Sequence, residues 1–137
     1  MAAVSLFAFI LAALLGLTMA WMHFQGKKSG MAIGIAHGLA ALSGIALLTT
    51  GLVMREAGPA WWMLASFAVV AAGGAYLFSR QVRDEPWPAA VIVAHGGLAL
   101  ITLVALGIWI GTRGAPAADN PQAVSSAEVA PAPNAGL

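Results

Sequence analysis

Charge is confined to a few short clusters in this chain of 137 residues. Lys27, Lys28, Arg55, Glu56, Arg80, Arg83, Asp84, Glu85, Arg113, Asp119 and Glu128 leave residues 1–26, 29–54, 57–79 and 86–112 free of charge. A helix rises about 1.5 Å per residue and needs about 20 residues to cross a bilayer, so each free segment is long enough to span one. The pattern predicts four transmembrane helices, over about residues 3–24, 31–54, 60–79 and 88–111. Composition agrees: 61% of residues are hydrophobic and 8% charged, against roughly a quarter charged in soluble domains. The first segment lacks the basic start of a signal peptide, and its apolar run exceeds the usual 7–15 residues or so, so it reads as a retained helix.

The connections QGKKSG (25–30), REAGP (55–59) and RQVRDEPW (80–87) are short. Short links make sequential helices antiparallel neighbours, which gives an all-α membrane protein built as an up-down-up-down four-helix bundle over residues 1–112. Pro59 and Pro88 stand where a helix begins and a missing N–H costs nothing. Lys27, Lys28, Arg80 and Arg83 lie on one side of the membrane, and Arg55 and Arg113 on the other. The excess places loops 25–30 and 80–87 in the cytoplasm, and both termini outside the cell (inner) membrane. Trp21 and Trp87 then mark one interface, and Trp61, Trp62 and Trp109 the other. Residues 113–137, rich in Ala, Pro and Ser, offer too little apolar bulk to offset the entropy of ordering. They are expected to form a disordered tail.

Helices 2 and 4 echo each other. AHGLAALSGIALL (36–48) and AHGGLALITLVAL (94–106) share six of thirteen positions, including Ala-His-Gly. Helices 1 and 3 echo faintly through Ala20-Trp21 and Ala75-Tyr76, an alignment that sets His23 against Phe78 and assigns the offset to a longer third loop. The chain reads as a duplicated helical hairpin, its halves related by a pseudo-twofold axis along the membrane normal. His37 and His95 then sit at equal depth on diagonal helices, whose axes lie roughly 11–14 Å apart if adjacent ones lie at 8–10 Å. That spacing predicts room for a flat macrocycle between two imidazoles that do not touch.

A lone intramembrane histidine is accounted for by a hydrogen bond to a neighbouring helix, worth about 0.6 kcal/mol. Two at equivalent positions, each followed by glycine, also suit axial ligation of a metal. Gly34, Gly38 and Ala41 on helix 2, and Gly96, Ala99 and Thr102 on helix 4, keep bulk away from the pair. Small residues equally serve close helix packing.

A membrane four-helix bundle with one histidine on each of two helices resembles a small b-type cytochrome with a single bis-histidine haem. The resemblance covers residues 1–112 as an architecture, and two residues as a motif. It implies haem b as cofactor, His37 and His95 as axial metal ligands, and propionates paired with Lys27, Lys28, Arg80 or Arg83. It also implies electron transfer with a quinone or a larger membrane complex, since one haem near one face cannot carry electrons across about 30 Å of hydrocarbon.

Other classes stand less well. The absence of cysteine removes thiolate metal sites, iron–sulfur clusters and covalently attached haem. A net charge of +1 gives no case for nucleic acid. No carboxylate lies inside a span for proton coupling, and no nucleophile–base pair or carboxylate dyad for hydrolysis. His23 has a solvated interfacial reading and a copper reading with Met19 and Met22. The main rival to haem is a cofactor-free accessory subunit of a membrane complex, with single-histidine pigment ligation a further reading.

Overall fold

In lipid a backbone N–H or C=O has no water to bond, so a spanning segment closes its own hydrogen bonds as a helix. In a computed structural model, described for residues 2–54 and 61–114, the four segments are helices. They are α1 (Ala2–Phe24), α2 (Met31–Val53), α3 (Trp61–Val82) and α4 (Ala89–Gly114). All four are long and apolar enough to cross a membrane. Each helix packs on its chain neighbour and α4 closes back on α1, leaving α1 facing α3 and α2 facing α4 across the bundle. The outer surface is apolar, with Phe7, Leu17, Ile101 and Ile108 more than 60% exposed. A bilayer covers such a face. The 55–59 loop with Pro59, and tail residues 115–137, lie outside the described residues.

The duplication holds at a constant offset of 58 residues. Met31 and Ala89 open α2 and α4, and Phe24 and Val82 close α1 and α3. Both hairpin turns are therefore six residues long, 25–30 and 83–88. Two readings of the sequence are corrected here: α3 runs on to Val82, and no longer third loop exists. Trp21 is matched by Ser79, not Tyr76, and His23 by Gln81, not Phe78. Arg80 is accommodated in the last turn of α3 because its long side chain reaches out to the turn, where Nε donates to Pro86 O at 2.8 Å.

The two turns repeat in detail. In the first, Gly26 N–H donates to His23 O and Lys27 N–H to Met22 O. In the second, Asp84 N–H donates to Gln81 O and Glu85 N–H to Arg80 O. This is the Schellman closure of a helix, which places one residue in the left-handed region. Gly26 (φ 71°) and Asp84 (φ 55°) occupy that place.

Burial repeats as well. Ser5, Phe9 and Met19 of α1 are buried, as are their equivalents Met63, Phe67 and Leu77 of α3. Leu48 and Leu106, likewise equivalent, are almost fully enclosed. Phe9 and Phe67 meet across the diagonal with ring centroids 4.0 Å apart and planes within 5°. With Leu48, Leu52, Met63 and Leu106 they form a close-packed core in the half of the bundle away from the two turns. The half nearer the turns contains open space, with Gly16, Gly34, Gly74 and several alanines in its walls.

Candidate functional site

His37 and His95 are each the seventh residue of their helix, about 9 Å from its start. They therefore lie at one level, just below the phenylalanine stack. Their ring centroids are 6.1 Å apart and the ring planes cross at 71°. The expectation that the rings stand clear of each other is corrected: both reach into the bundle axis and meet edge to face. Diagonal helix axes can be well separated while two inward-directed side chains span the gap.

Each ring is anchored in the same way. His37 Nδ1 lies 2.8 Å from Ala12 O of α1, and His95 Nδ1 lies 2.9 Å from Val70 O of α3. A carbonyl oxygen only accepts, so Nδ1 carries the proton and donates in both rings. In a neutral imidazole this leaves Nε2 with the free lone pair. A backbone carbonyl on the other ring nitrogen is the usual support of a metal-ligating histidine, fixing its tautomer and orientation and raising its basicity.

Glycine makes this approach possible. A Cβ on Gly16 would stand 3.0 Å from His37 Cε1, and one on Gly74 would stand 3.1 Å from His95 Cε1. Gly16 and Gly74 are one turn beyond the accepting residues Ala12 and Val70, again at the offset of 58. None of these four residues was among the candidates drawn from the sequence. The signal was present: at that offset Leu6, Phe9, Ala13 and Gly16 are identical to Leu64, Phe67, Ala71 and Gly74, a 3-4-3 spacing that marks one helix face.

Two cavities flank the pair. One, of about 390 Å³, opens between α2 and α3 and includes Gly38, Ala41, Gly74 and Ala75 in its wall. The other, of about 520 Å³, opens on the α1 and α4 side and includes Gly16, Leu17, Gly96 and Ala99. These two sets are equivalents in the two halves: 38 with 96, 41 with 99, 74 with 16, 75 with 17. Both histidines line both cavities. The hollow is thus one slot of two pseudo-symmetric lobes, with the imidazoles at its middle.

The remaining candidates are placed as follows. Gly34 lines both lobes. A Cβ on Gly38 or Gly96 would meet nothing within 4 Å, so both positions border open space. Thr102 is buried at 1% exposure outside both lobes, its hydroxyl donating to Leu98 O at 2.9 Å. Lys27 borders a separate polar cavity at the turns. Arg80 is held within its own turn, donating to Tyr76 Oη as well as Pro86 O and pairing with Glu85 at 3.4 Å. His23 stacks on Trp87 at 5.7 Å, away from the slot, whereas Met19 lines the α1/α4 lobe. Among the described residues no set of three or more His, Asp or Glu side chains converges to hold a metal ion.

The arrangement brings together two imidazoles, the side chain that commonly holds haem iron, with ring centroids 6.1 Å apart. The lobes to either side supply apolar space next to the pair. No family model matches the chain, and no curated protein or solved structure matches it.

Proposed function

We propose that the protein is an integral membrane b-type cytochrome in which His37 and His95 hold one haem b, and that it transfers electrons alone or as a subunit of a larger complex. The observation that carries this reading is the paired anchoring. Two imidazoles at one depth, each with Nδ1 donating to a carbonyl, leave Nε2 of both rings free to hold a metal.

Haem, when bound, supplies a one-electron couple. The chain's own groups do the rest. Ala12 O and Val70 O fix the tautomer of the ligands. Gly16 and Gly74 admit the rings, and the largely apolar walls of the two lobes flank them. His37 and His95 would both hold the iron, and the group so held would supply electron transfer rather than oxygen chemistry. The pair lies near the two-turn end of the bundle, so electrons reach it from a quinone or a partner's cofactor on that side. By the basic residues of its turns, that side is the cytoplasmic face of the cell membrane.

The test is the redox-difference spectrum of the purified full-length protein. A low-spin bis-histidine signal supports the reading, and a folded, colourless preparation supplied with haem refutes it.

One observation favours a second reading, a cofactor-free accessory subunit. The imidazoles are already in edge-to-face contact and fully anchored, so they also act as a packing unit. That reading predicts the colourless outcome.

A further inference from the structure

The two lobes of the slot differ at their outer ends. The α1/α4 lobe shares Gln81 and Trp87 with a polar cavity of about 420 Å³ between the two turns, whereas the α2/α3 lobe shares no residue with it. The mouths differ too. The exposed Leu39 lines the α2/α3 lobe, and its equivalent at the offset of 58 in the α1/α4 lobe is Gly97. A Cβ on Gly97 would meet nothing within 4 Å. The α1/α4 groove is thus open where its counterpart carries a leucine. Leu14, Leu17, Val93 and Leu100 border it, each more than half exposed.

The polar cavity lies at headgroup depth. Helix α1 has 23 residues and is about 34 Å long, enough to cross about 30 Å of hydrocarbon and set its turn among the headgroups. Charge at the turns is unbalanced, with Lys27, Lys28, Arg80 and Arg83 against Asp84 and Glu85. Lys28 pairs with Asp84 at 2.6 Å, and Arg80 and Arg83 share Glu85 at 3.4 and 3.6 Å. Both acids are engaged. Lys27 borders the cavity, and its side chain has no ion pair or hydrogen bond among the described residues. His23, stacked on Trp87 at 5.7 Å, adds an aromatic wall.

A cationic recess at headgroup depth that runs into an apolar groove suits an anionic amphiphile of the bilayer. We propose that this end of the bundle binds one anionic phospholipid per chain, its phosphate beside Lys27 in the polar cavity and one acyl chain along the α1/α4 groove past Gly97. Basic pockets between membrane helices hold such headgroups by charge, and each cation close to the surface adds severalfold to the affinity. The α2/α3 groove has no polar cavity at its end and carries Leu39 in its mouth, so it takes no second lipid of this kind. The inference does not depend on what His37 and His95 hold.

The test adds dioleoyl phosphatidylglycerol or dioleoyl phosphatidylcholine to the purified full-length protein in detergent and counts retained lipid per chain by native mass spectrometry. One phosphatidylglycerol is expected at saturation, bound about tenfold more tightly than phosphatidylcholine. Lys27→Ala should weaken phosphatidylglycerol binding about fivefold. Arg113→Ala removes the same charge at the opposite end of the bundle and should leave binding unchanged. Gly97→Leu, which gives α4 the residue that α2 already carries at Leu39 without loss of fold, should weaken both lipids. Inorganic phosphate at millimolar concentration should not displace the lipid, because it lacks the chain. Equal binding of the two lipids overturns the proposal. So does an equal loss in Lys27→Ala and Arg113→Ala, unchanged binding in Gly97→Leu, or displacement by phosphate.

Discussion

A Cβ on Gly16 would stand 3.0 Å from Cε1 of His37, nearer than nearly all real contacts of that kind. The glycine therefore sets where the imidazole rests on α1, as Gly74 does for His95 on α3. Gly16→Val and Gly74→Val should each displace one ring from its carbonyl and lower cofactor retention at least about tenfold, because a misplaced ligand is lost as a ligand. Gly107 has open space around it, so Gly107→Ala should leave retention unchanged. Absorbance per mole of purified protein checks all three.

The stack of Phe9 on Phe67 is the base of the slot. In lipid the transfer part of a core deletion is small, but the packing and ring-pair part remains. Phe67→Ala should cost about 2 kcal/mol in reversible unfolding in detergent. Gly44 lies beneath this stack, and a Cβ there would come within 2.7 Å of Phe9 Cε1. Gly44→Leu should therefore destabilise the fold despite the better helix propensity of leucine.

The matched turns give a prediction of opposite signs. Gly26 and Asp84 hold the same left-handed position, which glycine fills without strain and aspartate does not. Gly26→Ala should cost about 1 kcal/mol, and Asp84→Gly should gain a few tenths to about 1 kcal/mol. Replacing Lys28, the partner of Asp84, by alanine should have no measurable effect on stability, since both side chains are about four-fifths exposed.

The four spans were legible because lipid forbids charge and demands helices, so the positions of eleven side chains locate the ends. Charge alone does not locate the end of α3, because Arg80 sits in the last helical turn and carries its charge outward. The pairing of His37 with His95 was legible from the Ala-His-Gly echo. The register of α1 against α3 was not drawn from it, because Ala20-Trp21 and Ala75-Tyr76 suggested a shift of three residues. Trp21 and Tyr76 are 66% and 42% exposed, so the interface fixes them and no partner helix does. Phe9 with Phe67 and Gly16 with Gly74 carry the true register, as they face the axis. The carbonyl anchors were not legible, since any residue type supplies a backbone oxygen.

The central claim is that His37 and His95 together hold one haem. It is tested most directly by the dithionite-reduced minus oxidised spectrum of purified full-length protein, compared with His37→Ala, His95→Ala and His23→Ala. The account predicts a low-spin bis-histidine spectrum that either of the first two substitutions abolishes and His23→Ala leaves intact. A surviving bis-histidine spectrum in His37→Ala or His95→Ala, or a folded parent protein that stays colourless when supplied with haem, would contradict it.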